Sequence, residues 1–262
     1  MAAKGAALCR PATDAELANP LATVDGLGWL GKSISGWQVL CLAAGGGRQG
    51  PLYAAAGGHV TVVDLSPEML ALDRQVAEER NMNLRLIEAS MESMPMLRDN
   101  EFDLVIHPVS TCYVPDCRPV FTEVARVLRP GGLYISQHKS PTSLQSSLSR
   151  NQSTGYYQLE REAYSRTPVP SLGKTSSTNA GQRLREAGAQ EYVHRLEQLL
   201  GGMAKAGLSI EDLTEPMHAK PDSSIDSFGD RAKFIPPYIR VKARRRGGGE
   251  TEAKRSSLII TT

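Results

Sequence analysis

The sequence predicts an α/β protein built on one doubly wound, mostly parallel sheet. Three observations carry this. Short apolar runs alternate with amphipathic stretches along residues 38–140, the pattern of strands joined by right-handed crossover helices. A loop of small residues, Ala44-Gly45-Gly46-Gly47-Arg48-Gln49-Gly50, follows the first run at once. The second run, residues 59–64, ends on a single carboxylate, Asp64. In such sheets ligands bind at the carboxyl ends of the strands, where Gly45, Asp64, Ser90, His107 and His138 all fall.

Taken in order, residues 1–37 are mixed in composition, and Thr13 or Asp14 can cap a short helix through Leu17. Trp29 and Trp37 follow among glycines; they either cover a cofactor or pack on the sheet edge. Residues 38–43 form the first strand. Pro51 suits the first turn of a helix over residues 51–56, which Gly57-Gly58 ends. Ser66 caps the next helix, with Pro67 and Glu68 in its first turn and Met69, Leu72 and Val76 facing inward. Residues 84–88 and 102–107 are further strands. A helix over 118–128 carries Val120, Val124, Val127 and Leu128 on one side, and 131–137 is the fifth strand.

Residues 141–185 change character. Ser, Thr, Gln and Gly dominate, with Tyr156, Tyr157 and Tyr164 among them. A segment this long without periodicity is usually functional, and it reads as a substrate cap with a hairpin near residues 156–166. Residues 195–206 predict a helix with Leu196, Leu199, Leu200 and Met203 as its buried stripe, stopped by Gly207. Residues 208–215 and 234–243 predict two closing strands. The organisation is thus a covering segment (1–37), a core (38–140), a cap (141–185), the rest of the core (186–243) and a flexible polar tail (244–262).

The chain has 262 residues and a net charge of +2, from 30 basic and 28 acidic side chains. That length suits one embellished domain. The near balance provides no global field for nucleic acid or an anionic membrane. No apolar run is long enough to span a bilayer, and residues 1–8 lack the basic start and long apolar core of a signal peptide. Cys9, Cys41, Cys112 and Cys117 show no paired spacing, which reads as reduced thiols without zinc. The expectation is a cytoplasmic protein with a small-molecule partner, no nucleic acid, no membrane and no metal site. The sequence does not bear on oligomeric state.

Gly45-x-Gly47-x-x-Gly50 with Asp64 beyond it satisfies the dinucleotide fingerprint. The wider pattern points elsewhere. Residues 39–47, Val-Leu-Cys-Leu-Ala-Ala-Gly-Gly-Gly, resemble the first motif of class I S-adenosylmethionine (SAM) methyltransferases. Val62-Val63-Asp64-Leu65-Ser66-Pro67-Glu68-Met69-Leu70 resembles their second motif, residues 88–95 their third, and Leu128-Arg129-Pro130-Gly131-Gly132 the turn before their fifth strand. The resemblance covers residues 20–138 well and 191–207 loosely. It implies a Rossmann-like seven-stranded, mostly parallel sheet with helices on both faces and a terminal antiparallel hairpin.

It also implies a SAM site, with S-adenosylhomocysteine as product. Ala43, Ala44, Gly45, Gly47 and Gln49 would meet the methionine part, Asp64 the ribose, and Leu65, Met69, Ser90 and Met91 the adenine side, with His107 close by. Three positions depart from the family pattern. Cys41 replaces an acidic residue, Ala43 a glycine and Ser90 an aspartate. The first two are expected to leave the loop's shape intact, and the third loses a charge. The function so implied is methyl transfer to O or N of a small-molecule acceptor by in-line displacement. A non-catalytic SAM-binding scaffold and a nicotinamide-dependent oxidoreductase are the alternatives.

Methyl transfer from a sulfonium needs alignment and, for some acceptors, a base. His107 and His138 end the fourth and fifth strands and can serve as that base, or hold the loop at residues 108–116 as structural histidines. His194 is a third candidate, with capping or packing as its other role. Ile235-Pro236-Pro237-Tyr238 lies outside the place where an amino-methyltransferase motif would fall, and no base accompanies Cys112 or Cys117.

Overall fold

The computed structural model describes residues 10–170, 184–185 and 188–247. The polar tail beyond 247, much of residues 171–187, and Cys9 lie outside them. The chain opens with two short helices, α1 (Asp14–Ala18) and α2 (Pro20–Val24). The core follows as β1 (Gln38–Leu42), α3 (Gln49–Ala55), β2 (His59–Asp64), α4 (Pro67–Glu79), β3 (Leu84–Glu88), β4 (Phe102–His107), α5 (Arg118–Val127) and β5 (Leu128–Lys139). After α6 (Pro141–Gln145) come a π-helical turn at Glu197–Gly201, α7 (Gly202–Lys205), β6 (Leu208–Thr214), α8 (Phe228–Arg231) and β7 (Tyr238–Arg245).

The seven strands form one sheet in the order β3-β2-β1-β4-β5-β7-β6. β7 alone runs antiparallel to its neighbours, between β5 and β6. This is the predicted Rossmann-like methyltransferase fold. Period-two alternation sends Leu40 and Leu42 to one face and Val39 and Cys41 to the other. The first face packs on α5, α7 and the 91–97 loop through Phe121, Val124, Met203 and Met94. The second packs on the N-terminal segment, α3 and α4 through Ile34, Tyr53 and Leu70.

Several boundaries differ from the sequence expectation: β5 starts at Leu128 rather than 131, and β7 runs to Arg245, into the expected tail. β7 begins at Tyr238 rather than 234, because Pro236 and Pro237 have no N–H for the ladder. Their carbonyls instead accept from Ser140 Oγ (2.6 Å) and Ser140 N–H (2.9 Å). The expected helix over 195–206 contains a π turn, which adds a residue to the turn and rotates Leu196 off the buried stripe. Leu199 and Met203 keep their places in the core. The cap hairpin turns at 151–155, earlier than expected. Asn151 Oδ1 accepts from the N–H groups of Ser153 and Thr154, and Gly155 takes a positive φ of 73°.

Trp29 and Trp37 have separate roles. Trp37 packs against the second-face core, and Trp29 Nε1 donates to Asp212 of β6 at 3.0 Å.

Candidate active site

A cavity of about 730 Å³ opens at the carboxyl ends of β1, β2, β4 and β5. One end is built by the glycine loop. Ala43 N–H donates to Val63 O (2.7 Å), so β2 holds the loop's start. Ala43 lies at φ 47°, in the left-handed region, where an L-residue costs roughly 1–2 kcal/mol. The alanine substitution is therefore strained rather than neutral.

Asp64 stands at the loop's side. Its Oδ2 accepts the Gly45 N–H and its Oδ1 the Ser66 N–H, both at 2.9 Å. Each carboxylate oxygen keeps a lone pair for a ribose hydroxyl. A Cβ on Gly45 would come within 2.8 Å of Met69 Cβ and 3.0 Å of Asp64 Oδ2. On Gly47, at φ 76°, it would meet the Leu72 carbonyl at 3.1 Å. The glycines thus let α4 press against the loop, and the volume they spare is filled by the protein's own atoms.

Asp73, which sequence reasoning missed, sits behind this loop. It is fully buried on α4, and its Oδ2 accepts the Gly46 N–H at 2.8 Å. Burial, aided by the nearby Asp64 charge, pushes its pKa up to about 6, against the pull of the Gly46 and Gly47 N–H groups.

Leu65 borders the cavity with 70% of its surface exposed, an apolar platform fit for a flat ring. Met69, Ser90 and Met91 line the same end. Ser90 Oγ accepts the Glu92 N–H at 3.2 Å, and the Glu92 carboxylate lies 3.5 Å from that hydroxyl. The acidic character absent at position 90 is present two residues on, at a cavity-lining position. A backbone-lined loop, a diol-ready carboxylate and an apolar shelf fit SAM. Gln49, at the start of α3, lines the wall as well, with Ala43, Ala44 and Gly45; Gly47 and His107 of the predicted set do not.

Of the two roles open to the histidines, base in the cleft or structural support of the loop, their geometry matches the second, with the rings behind the cavity wall. His107 bonds Tyr134 Oη (2.7 Å) through Nδ1 and Ser110 Oγ (2.6 Å) through Nε2. His138 bonds Thr111 Oγ1 and Ser136 Oγ, each at 2.8 Å. His194 Nε2 lies 2.9 Å from Thr111 O and 3.0 Å from Val114 O. All three are buried, and none lines the cavity. Desolvation drives the pKa of His107 down to about 3 and that of His138 well below the usual range; it also lowers that of His194. Together they pin the 108–114 loop, whose Pro108, Val109, Ser110, Tyr113 and Val114 form the wall in front of them.

The far end of the cavity was not anticipated. Gln137 and Lys139 of β5, Tyr238 of β7, Tyr113 and Arg185 line it. Strand parity offered a signal: with Ser136 and His138 on one side of β5, Gln137 and Lys139 must face the other. None of the cap tyrosines reaches it. Tyr156 and Tyr157 lie against Phe234, and Tyr164 takes Arg195 over its ring at 4.6 Å. Cys41 and Cys117 are buried thiols whose pKa burial raises, the latter to about 12. Among the described residues no cluster of metal-ligating side chains occurs.

This fold and this loop are similar to those of class I methyltransferase domains. Residues 40–136 match the family described as a methyltransferase domain. An uncharacterized methyltransferase of Bacillus subtilis, YbaJ, is 43% identical over 108 residues, 41% of this chain and 42% of that protein. The match thus spans about two-fifths of that curated relative's length. A SAM-dependent methyltransferase from Mesorhizobium loti superposes with a TM-score of 0.64 at 19% identity, covering 87% of this chain and all of that one. Geranyl diphosphate C-methyltransferase from Streptomyces coelicolor, solved with S-adenosylhomocysteine, superposes at 0.54 and 19% identity over 92% of this chain and 89% of its own.

Proposed function

We propose that the protein transfers a methyl group from SAM to an oxygen or nitrogen of a small-molecule acceptor. One observation carries this: a single cavity joins the glycine loop, Asp64 and Leu65 to a second polar end at Gln137, Lys139 and Tyr238. Bound there, SAM supplies a methyl group already activated by positive sulfur. The 43–47 loop and Asp64 hold the donor, and Leu65, Ser90, Met91 and Glu92 surround its base. The second end seats the acceptor in line with the methyl group. Effective molarity from such alignment accounts for a large part of the rate.

The histidines act as positioning residues through the 108–114 loop. With no histidine at the cavity surface, the reading is that the acceptor arrives as a free amine or an ionised hydroxyl. Among the described residues no helix is long and apolar enough to cross a membrane, and the net charge is only +2. Both support a small molecule met in the cytoplasm rather than a membrane or nucleic acid.

Calorimetry with SAM, S-adenosylhomocysteine and NAD tests the donor; tight binding of NAD and none of SAM would sink the reading. Formation of S-adenosylhomocysteine across a panel of amines, phenols and acids tests turnover. SAM binding without turnover on any acceptor would favour a scaffold role, which the departures at Cys41, Ala43 and Ser90 keep in contention.

A further inference from the structure

We propose that the end of the cavity formed by Lys139 and Arg185 is an oxyanion subsite that binds a carboxylate or phosphate group of the methyl acceptor. The inference rests on the methyltransfer reading for the word acceptor, but its observations stand apart from the donor site. Lys139 is the last residue of β5, and Arg185 lies 46 residues further along the chain. Both side chains are only 8% exposed, and both line the cavity. Lys139 Nζ pairs with Glu191 Oε1 at 2.6 Å, and an Arg185 terminal nitrogen lies 3.3 Å from Glu191 Oε2. Glu191 itself is 3% exposed and does not line the cavity.

Two cations therefore share one carboxylate, the one within ion-pair distance of both among the described residues. Among the described residues the cavity wall thus carries more positive charge than this one carboxylate balances. A cation held away from water without a full counter-charge is costly, and a ligand anion removes that cost. Arg185 also donates to Leu144 O at 2.9 Å, which fixes its planar head. A guanidinium so held suits the paired oxygens of a carboxylate or phosphate.

The neighbours reinforce this. Arg240 Nε donates to Gln137 Oε1 at 2.6 Å, which leaves the amide N–H groups of Gln137 as donors toward the cavity. Lys139 Nζ lies 5.8 Å from the Tyr113 ring centroid, so an aromatic face floors the ammonium. Asp64, a carboxylate of the cavity, ends β2, three strands from β5 in the sheet order. That is roughly 14 Å at the usual strand spacing. Arg10 and Arg48 also line the cavity, but both pair with Glu16, at 2.7 and 2.9 Å, so Lys139 and Arg185 are the basic groups left to the acceptor end.

The test uses the full chain loaded with S-adenosylhomocysteine, titrated calorimetrically with benzoate, phenyl phosphate and the neutral isostere benzamide. At least one anion is expected to bind tenfold or more tighter than benzamide, and which anion does so identifies the group. Arg185→Gln and Lys139→Met should each abolish that preference, while the charge-conserving Arg185→Lys and Lys139→Arg, which keep Glu191 paired, should retain it. Equal binding or no binding of all three probes overturns the proposal, as does a preference that survives both neutralising variants. If S-adenosylhomocysteine itself does not bind, the methyltransferase reading fails, and the same titration on the unloaded chain still decides the subsite.

Discussion

Asp64 and Asp73 are two carboxylates on either side of one loop, with opposite tasks. Asp64 is partly exposed to the cavity and already takes the Gly45 and Ser66 N–H groups. Asp64→Asn should weaken SAM binding by about 1.5–3 kcal/mol, since a charged acceptor is lost. Calorimetry on the folded variant checks this, and unchanged affinity would refute the ribose assignment. Asp73 is sealed, and its pKa is raised to about 6. In the window from the ordinary aspartate value to pH 6, the native state binds more protons at this site than the unfolded chain. Its contribution therefore falls as pH rises through that window and stays low above it. Asp73→Asn should be more stable than the wild type at pH 7 by on the order of 2 kcal/mol, with the gain gone at pH 4. Urea denaturation of both proteins at the two pH values provides the difference.

Among the elements, α8 is short yet ties the cap to the sheet. Arg231, 1% exposed, donates to Ser147 O, Ser143 Oγ, Ser143 O and Ser146 O at 2.8–3.3 Å. Asp230, just before it, takes Arg150 through two nitrogens and the Tyr157 hydroxyl at 2.9 Å. Burial pushes the Arg231 pKa down to about 10, so the charge persists at neutral pH. Arg231→Met keeps much of the volume and removes the donors, leaving buried carbonyls unsatisfied. The expected loss is about 3 kcal/mol or more, with faster proteolysis inside residues 146–170. A variant as stable as the wild type would mean that α8 does not anchor the cap. Little of this element could be read from the sequence. Residues 216–231 are polar in composition, and an arginine that hydrogen-bonds distant carbonyls has no local signature.

At the scale of the molecule, three buried neutral histidines set the response to acid. Each keeps a depressed pKa in the native state, while in the unfolded chain each titrates near its ordinary value. Above that value no stability is lost. As pH falls below about 6.5, the unfolded state takes up protons that the native state refuses. The loss approaches about 1.4 kcal/mol per pH unit for each histidine while the pH stays above its native pKa. Asp73 opposes it with a smaller gain. Denaturation midpoints should therefore drop sharply between pH 7 and pH 5, and His107→Gln should flatten part of the slope. In the same range the methylation rate, corrected for folded fraction, should show no histidine ionisation. A rate that titrates near pH 6.5 would return a histidine to the chemistry.

The sequence by itself determined the mostly parallel sheet, its terminal antiparallel hairpin and the glycine loop. Strand–loop–helix grammar, Asp64 at a strand end and the Leu128-Arg129-Pro130-Gly131-Gly132 turn are local features, and local features survive in one dimension. It also placed the histidines at strand ends correctly, but not the direction of their rings. That depends on which face of β4 and β5 meets the 108–114 loop, a matter of packing across residues 27 or more apart, as in the His107–Tyr134 and Thr111–His138 bonds. Only the tertiary structure decided that Asp73 backs the glycine loop. It alone brought Lys139, Arg185 and Glu191 together from separate segments. The physical reason is the same in each case. A buried charge is tolerated only where distant groups compensate it, and that compensation is written in contacts rather than in spacing.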